Sequence, residues 1–442
     1  MSFSSLGLAP SLCEPLARMG YKEPTPVQTA SIPHVLSGAD LVARAQTGTG
    51  KTAAFGLPMI ERLVLRGPRT RTERPRGLVL VPTRELAAQV HGALTAYGAP
   101  VRLRVTQIFG GVPMGPQVRA LRHGCDIVVA TPGRILDHLE RRTIDLSAIE
   151  VLTLDEADRM LDMGFLPPLR RVLQALPPVH QTLLFSATLS TDVVRLSAEF
   201  TRDPLRVDVS NGDVVAPLVT HGVYPVGIDR KRELLVHVLT KTPTNQALVF
   251  CKTKRGADRV GDHLESAGLR VAVIHGNKAQ GARSRALADF KTGRVSVLVA
   301  TDIAARGLDI VQLPLVVNYD LPLAAQDYIH RVGRTGRAGS SGRAISLVTS
   351  LDGQMLRDIQ RLVSAPLEHV VVEGFEGARS PASVDHRRQD RDRRGRRHSS
   401  SPRAVNPFGR VERSPEFRAV RRGDRAPGHA TLISERKESA RG

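Results

Sequence analysis

The sequence predicts an α/β fold with two tandem domains, each built on a parallel β-sheet that is flanked by helices. At 442 residues, of which 41% are hydrophobic, the chain is long enough for two or three domains with separate cores. Short β-rich runs alternate along it with helical patterns, an order that is typical of parallel sheets with covering helices. The runs are continuous in Val, Leu and Ile, as expected of strands that are buried on both faces.

The predicted strands form one group in each half of the chain. In the first half they cover residues 41–45, 77–81, 104–108, 127–130, 151–154 and 182–185. In the second half they cover residues 247–250, 271–274, 297–300, 315–318 and 344–348. Residues 209–217 contain turn-forming residues and no helical period, so we interpret them as a linker. The predicted domains therefore span residues 1–208 and 218–375.

The sequence changes character after residue 375. Residues 376–442 are rich in Arg, Ser, Pro, Gly and Asp and contain almost no apolar side chains. Such a segment cannot bury enough surface to offset its ordering entropy, so we predict a disordered basic tail. About half of the net charge of +20 lies in residues 379–442, which carry 18 Lys and Arg against 8 Asp and Glu. A basic chain favours phosphate-bearing partners, although an Arg-rich genome composition is an alternative explanation.

The cysteines and the N-terminal sequence bear on location. Cys13, Cys125 and Cys251 are far apart and form no Cys-x-x-Cys pair, which excludes a disulfide framework or zinc module and suits a reducing compartment. The N-terminus lacks the pattern of a signal peptide, and no apolar stretch reaches the roughly 18 residues that a membrane span needs. We therefore expect a soluble, cytoplasmic protein without a membrane partner.

A phosphate-binding loop is predicted directly after the first strand. Its glycines let backbone N–H groups wrap phosphates, the Lys51 ammonium reaches the β- and γ-phosphates, and the Thr52 hydroxyl is a ligand for Mg²⁺. Ala45 stands where the general template has glycine, and a glycine-rich turn without a ligand is the simpler alternative. The residues predicted to bind ATP here are Ala45, Gln46, Thr47, Gly48, Thr49, Gly50, Lys51 and Thr52.

An acidic box, residues 155–158, ends a later buried strand. Asp155 is suited to hold the hydration shell of Mg²⁺, and Glu156 to orient and deprotonate an attacking water. Alone, the box could equally be a helix N-cap. Together with the loop at residues 45–52 it predicts a Mg-ATP site in which Lys51, Asp155 and Glu156 are catalytic.

The order of these and further motifs resembles that of the DEAD-box ATP-dependent RNA helicases of superfamily 2, over residues 3–375. Residues 155–163, 275–278 and 300–310 are most similar to the bacterial RhlE-type subgroup. The resemblance implies two RecA-like domains, ATP and Mg²⁺ as bound ligands, and RNA as the partner.

Two further motifs of the first domain follow from this resemblance. Residues 20–28, within a segment covering 3–28, resemble the Q motif. The Gln28 amide both donates and accepts and can pair with adenine, and the Tyr21 ring can stack on the base, which predicts ATP over GTP. Residues 186–188 resemble motif III, which in the family couples hydrolysis to strand separation through hydrogen bonds to the acidic box. The residues implied in this coupling are Asp158, Ser186, Thr188 and His330.

The other half of the ATPase site is expected in the second domain. Residues 300–309 resemble motif V, and residues 330–337 resemble motif VI. Arg334 and Arg337 are the candidate arginine fingers, which stabilise negative charge on the γ-phosphate in the transition state. Gly307 and Asp309 are expected to complete the ATP pocket. Because the fingers and the carboxylates lie on different domains, hydrolysis requires the two domains to close.

Ten residues match RNA contacts of the family. In the first domain they are Pro82, Arg84, Gly110, Gly111, Thr131 and Arg134, and in the second Gly276, Gln280, Arg283 and Thr301. Those of the first domain follow predicted strands, at the carboxyl edge where open α/β sheets bind ligands. With no Trp and 4% aromatic residues, the chain offers few base-stacking platforms. We expect it to contact the RNA backbone and 2′-OH groups with little sequence preference.

The sequence thus predicts an RNA-stimulated ATPase that unwinds short duplexes locally or remodels ribonucleoproteins. An ATP-gated RNA clamp or scaffold with slow turnover is the alternative. A DNA-translocating helicase is a third interpretation, but it would need strand-tracking elements, and we identify no extra domain for them. Ribosome-assembly or RNA-decay complexes are candidate partners. The basic tail either tethers the motor to RNA or is a solvated spacer.

Overall fold

The computed structural model describes residues 2–375 with internal gaps. The gaps are residues 47, 66, 68–73, 210–218, 243, 306–307, 309, 311, 337–340 and 364–365. The predicted tail and all of the predicted linker except Val209 therefore lie outside the described residues. Both sheets belong to one compact unit.

The first domain contains a seven-stranded parallel sheet. Its elements are α1 (Pro10–Arg18), α2 (Pro26–Ser37), β1 (Leu41–Arg44), α3 (Lys51–Leu65), β2 (Gly77–Leu80), α4 (Arg84–Gly98), β3 (Val105–Ile108), α5 (Met114–Arg122), β4 (Ile127–Ala130), α6 (Pro132–Glu140), β5 (Val151–Asp155), α7 (Ala157–Asp162), α8 (Leu166–Gln174), β6 (Gln181–Ser186), α9 (Thr191–Phe200) and β7 (Leu205–Asp208). The strand order is β3-β4-β2-β5-β6-β1-β7. Short 3₁₀ helices cover Ser4–Leu6 and Ala99–Val101.

The second domain repeats this architecture. Its elements are β8 (Val219–Pro225), α10 (Lys231–Lys241), β9 (Ala247–Cys251), α11 (Lys254–Ser266), β10 (Val271–Ile274), α12 (Gln280–Lys291), β11 (Val297–Thr301), α13 (Asp302–Ala305), β12 (Leu315–Asn318), α14 (Ala325–Val332), β13 (Gly342–Val348), α15 (Gly353–Leu362) and β14 (Leu367–His369). Its seven strands are parallel in the order β10-β11-β9-β12-β13-β8-β14. The 3₁₀ helices here are Ile228–Arg230 and Ser350–Asp352.

The sheet of the first domain is covered on both faces, as the continuous apolar runs predict. Successive side chains of a strand point to opposite faces. Ala43 and Leu183 accordingly pack in the core with α1 to α4, whereas Val42 and Leu184 pack in the core with α5 to α9. Complete burial of one such leucine contributes about 1.5–3 kcal/mol. The α/β fold class with two parallel-sheet domains is therefore confirmed.

Every predicted strand corresponds to an observed one, with ends that differ by up to two residues. Three observed strands, β7, β8 and β14, are absent from the prediction. β7 and β14 lie at the ends of their sheets, and their side chains are mostly exposed. β8 contains Gly222 and ends at Pro225. None of the three has the continuous apolar run on which the prediction relied.

Among the described residues, no helix combines the length and apolarity that crossing a bilayer requires.

Candidate active site

Three adjacent strands of the first sheet carry the predicted nucleotide-binding motifs. β5, β6 and β1 are neighbours in the sheet, and parallel strands end at the same edge. The phosphate-binding loop follows β1, the acidic box ends β5, and motif III ends β6. The strand order therefore brings together three segments that are far apart in the sequence.

The phosphate-binding loop is shaped by two glycines with left-handed backbone. Gly48 has a φ of 83° and Gly50 a φ of 92°, values that favour glycine. A Cβ on Gly50 would lie 2.3 Å from Gln28 Nε2, so this position also lacks room for a side chain. Within the loop, Thr49 Oγ1 donates to the carbonyl oxygen of Gln46 at 2.7 Å. Thr47 lies outside the described residues.

Lys51 opens α3 and points back across the loop. Its Nζ donates to the carbonyl oxygen of Ala45 at 3.2 Å and lies 4.0 Å from Asp155 Oδ1. Both side chains are buried. Thr52, the next residue of α3, is half-buried. The lysine of the loop and the aspartate of the acidic box thus face the same point.

Asp155 has a buried carboxylate that is suited to bind a cation. The pKa of Asp155 is raised to about 6, mainly by burial; the charge of Lys51 opposes this rise, and the charge of Glu156 adds to it. Its Oδ1 is buried without a hydrogen-bond partner among the described residues. Carboxylate and hydroxyl oxygens are the ligands that Mg²⁺ prefers, and Mg²⁺ is usually bound by one or two carboxylates together with substrate phosphates. Asp155 and Thr52 therefore fit the predicted metal ligands.

Glu156 sits at a sharp turn between β5 and α7. Its φ of 57° and ψ of 50° are left-handed, which is uncommon for a residue other than glycine. Glu156 as a whole is 3% exposed. Its carboxylate is close enough to that of Asp155 for its charge to raise the pKa of Asp155.

Asp158 joins the acidic box to motif III. Its Oδ2 accepts hydrogen bonds from the backbone N–H groups of Ala187 and Thr188, at 3.1 and 3.0 Å. The Thr188 hydroxyl donates to the same oxygen at 3.2 Å. Ser186 is buried, and its hydroxyl has no partner among the described residues. Of the predicted coupling residues of the first domain, the structure thus links Asp158 with Thr188 directly and leaves Ser186 outside the network.

The Q-motif residues make contacts that the sequence did not predict. Gln28 Oε1 accepts from the backbone N–H of Thr25 at 2.9 Å, and Gln28 Nε2 donates to the carbonyl oxygen of Gly50 at 3.0 Å. The Tyr21 hydroxyl lies 2.6 Å from that of Tyr97, and the two rings meet edge to face. Gln28 therefore holds α2 against the phosphate-binding loop. For a contact with adenine, its side chain still has the second N–H of Nε2 and the second lone pair of Oε1.

The second domain brings motif VI to a cleft beside the acidic box. Arg159 of the first domain lines this cleft together with Asp302, His330 and Arg334 of the second. Arg334 is 4% exposed, and its Nη1 donates to the carbonyl oxygen of Leu308 at 2.5 Å. The other predicted residues of this half-site, Gly307, Asp309 and Arg337, lie outside the described residues.

Two neighbouring arginines were not predicted as site residues. Arg331 forms a two-pronged ion pair with Asp302 and also donates to Asn318, so it ties α14 to the sheet. Arg159 donates from Nη1 to Glu156 Oε2 at 3.1 Å. The ion pair between Glu156 and Arg159 could have been predicted from the sequence, because residues three apart in a helix lie next to each other.

The predicted RNA contacts of the first domain lie on the other half of the same edge. β3, β4 and β2 are neighbours, and their carboxyl ends lead to Gly110 and Gly111, to Thr131 and Arg134, and to Pro82 and Arg84. Arg134 Nη2 donates to the carbonyl oxygen of Val112 at 3.1 Å, which connects two of these loops.

Gly111 and Arg84 show how closely these loops pack. Gly111 has a φ of 75°, and a Cβ there would lie 2.1 Å from Arg84 Nη1. Burial lowers the pKa of Arg84, with Arg283 as the next cause. The left-handed backbone therefore favours glycine at position 111, and a side chain there would displace the guanidinium of Arg84.

The predicted RNA contacts of the second domain surround β10 and β11, which are adjacent in the sheet. Gly276 follows β10, Gln280 opens α12, and Thr301 ends β11. Gln280 Nε2 and Arg283 Nη2 both donate to Glu85 Oε1 of the first domain, at 3.0 and 2.8 Å. Arg84 Nη1 donates to Gln280 Oε1 at 3.3 Å. In this structure these side chains join the two domains, an interaction that the sequence did not predict.

Two tandem parallel-sheet domains, with a nucleotide site at the edge of the first and arginines of the second beside it, define a motor ATPase of the helicase type. A family model described as DEAD/DEAH box helicase matches residues 25–196, and one described as helicase conserved C-terminal domain matches residues 230–339. Among curated proteins, the DEAD-box ATP-dependent RNA helicase CshA of Bacillus cereus is 41% identical over 369 residues, which cover 84% of this chain and 69% of CshA. The ATP-dependent RNA helicase DeaD of Escherichia coli is 42% identical over 376 residues, which cover 85% of this chain and 59% of DeaD.

Solved structures agree with the sequence comparisons. Saccharomyces cerevisiae Dbp5 bound to RNA and ADP BeF3 matches with a TM-score of 0.76 and 31% identity, over 84% of this chain and 95% of that one. The chain belongs to the family of DEAD-box ATP-dependent RNA helicases.

Proposed function

We propose that this chain hydrolyses ATP at a site divided between its two domains and uses the cycle to unwind short RNA duplexes locally. The observation that carries the proposal is the cleft in which Arg159, beside the acidic box, meets His330 and Arg334 of the second domain. A site of this kind is complete only while both domains contribute to it.

In the first domain, Lys51 binds the β- and γ-phosphates, and the backbone of residues 45–50 wraps them. Asp155 and Thr52 would hold Mg²⁺, which when bound neutralises phosphate charge. Glu156 orients the attacking water and accepts its proton. Gln28 and Tyr21 select adenine.

In the second domain, Arg334 and Arg337 stabilise the charge that develops on the γ-phosphate, and Gly307 and Asp309 complete the pocket. Asp158, Ser186, Thr188 and His330 transmit the state of the ATP site to the RNA edge. The three hydrogen bonds that Asp158 accepts from Ala187 and Thr188 support this coupling role.

RNA is proposed to lie along the carboxyl edges of both sheets, held through its backbone with little sequence preference. The predicted RNA contacts of the first domain lie at the ends of strands next to those that carry the ATP site, which supports this course of the RNA. We propose domain limits of 1–208 and 218–375, a linker at 209–217 and a tail at 376–442. The RhlE-type subgroup remains a sequence prediction without support from the named relatives, which are of CshA and DeaD type.

We further propose action in the cytoplasm, where ATP and RNA occur together, and ribosome-assembly or RNA-decay complexes as partners. No disulfide joins the three cysteines, all of which lie among the described residues, and this is compatible with a reducing compartment.

Strand separation distinguishes this function from an ATP-gated clamp. We expect the full chain to separate a short RNA duplex in the presence of ATP. With a non-hydrolysable ATP analogue we expect no strand separation over many turnovers, because the enzyme cannot begin a second cycle. The measurement is the release of a labelled strand over many turnovers, with a DNA duplex of the same sequence as the matched substrate. RNA-stimulated turnover without strand release would favour the clamp, and equal release from DNA would favour a DNA helicase.

A further inference from the structure

Arg159 is a buried charge in the cleft between the acidic box and the second domain. It lies in α7, directly after the acidic box, and its side chain is 2% exposed. A charge removed from water in this way needs partners, because the cost of desolvation otherwise opposes folding. The partners of Arg159 therefore indicate why an arginine is placed here.

The guanidinium of Arg159 has one partner in each domain. Nη1 donates to Glu156 Oε2 at 3.1 Å, and Nη2 lies 3.5 Å from His330 Nδ1, a long hydrogen bond. An arginine only donates, so Nδ1 of His330 is the acceptor in this hydrogen bond. A planar fork can address two directions at once, which a single ammonium cannot do.

We propose that Arg159 is a positioning residue that orients the Glu156 carboxylate when the second domain is docked. The inference rests on the proposed function and deepens it. Arg159 holds Oε2 of Glu156 and leaves Oε1 for the proton of the attacking water. The second hydrogen bond of Arg159 exists only while His330 is at the cleft, so the orientation of Glu156 depends on the domain contact.

A purely structural ion pair would account for the burial of Arg159 but not for its contact with His330. The two explanations predict different effects of replacing Arg159 on stability and on kinetics. Loss of a structural pair lowers the melting temperature and weakens ATP binding together with turnover. Loss of a positioning contact lowers kcat under RNA stimulation and leaves the KM for ATP nearly unchanged.

The first test is Arg159→Lys, which keeps the charge and removes the fork. We expect RNA-stimulated kcat to fall by about tenfold or more, with a change in the KM for ATP of less than about threefold. Arg170→Lys is the matched control, because Arg170 forms an exposed two-pronged pair with Glu199 on the surface of the same domain. An unchanged kcat of Arg159→Lys would overturn the proposal.

A double-mutant cycle with His330→Ala tests the link itself. If Arg159 and His330 act as one unit, the double variant loses about as much kcat as the more damaging single variant. Losses that multiply would overturn the proposal. Because His330 is only half-buried, His330→Ala alone tests the contact from the second domain should Arg159→Lys fail to fold. In that case an undiminished kcat of His330→Ala overturns it.

The wild-type protein separates failure of this inference from failure of the proposed function. A wild type without RNA stimulation overturns both. A stimulated wild type that Arg159→Lys matches overturns the positioning role alone.

Discussion

Replacing Glu156 with glutamine is expected to lower RNA-stimulated ATP turnover by about 10²- to 10⁴-fold, the range for loss of a general base. Glutamine retains the shape of the side chain and an oxygen that can accept the hydrogen bond from Arg159 Nη1. The variant therefore keeps its fold but lacks a carboxylate to accept the proton of water. We expect ATP and RNA to bind normally and RNA to be released slowly, because hydrolysis no longer ends the closed state.

The measurement is steady-state ATP turnover, together with equilibrium binding of ATP and of a labelled RNA strand. Glu199→Gln is the matched control, since Glu199 is an exposed carboxylate that pairs with Arg170 on the same domain. Turnover by Glu156→Gln close to that of the control would mean that another group takes the proton.

Arg334→Gln is expected to reduce RNA-stimulated turnover by about 10³-fold, or about 4 kcal/mol of transition-state stabilisation. The change removes a positive charge that is proposed to stabilise the γ-phosphate in the transition state. Glutamine is shorter than arginine and does not reach the carbonyl oxygen of Leu308, which Arg334 Nη1 contacts at 2.5 Å. Because loss of this one hydrogen bond costs only about 1–3 kcal/mol, we expect the second domain to stay folded while the arginine finger is lost.

This effect is measured as the kcat of ATP hydrolysis at saturating RNA, with melting temperature as the check on folding. Arg361→Gln provides the control, because Arg361 lies on α15 with its side chain 75% exposed and pairs only with nearby Asp358 among the contacts described here. A loss of less than about threefold in a folded Arg334→Gln protein would exclude the finger role.

Much of the fold could be predicted from the sequence because buried parallel strands leave a local signal. The run at 151–154 is apolar throughout, and β5 is buried along its whole length. The edge strands β7 and β14 leave no such signal, since only one residue in each is buried. Their pairing with β1 and β8 is a long-range contact that no local pattern specifies.

The residues of the candidate active site were likewise predicted only in part. Lys51 and Asp155 were predicted from motifs, and the strand order brings them to the same point. The need for the two domains to meet at the ATP site was predicted, but individual contacts such as that between Glu85 and Arg283 were not, because only the tertiary fold brings these residues together. Arg159 was missed because, in the sequence, its position after the acidic box gives no indication that it is buried or that it contacts His330.

We propose that the ATP site is divided between two domains and that RNA stabilises the arrangement in which the site is complete. The most direct measurement is ATP turnover by the full chain as single-stranded RNA is titrated in at saturating ATP. We predict that kcat rises by about tenfold or more and saturates with RNA. Equal turnover with and without RNA would contradict the account.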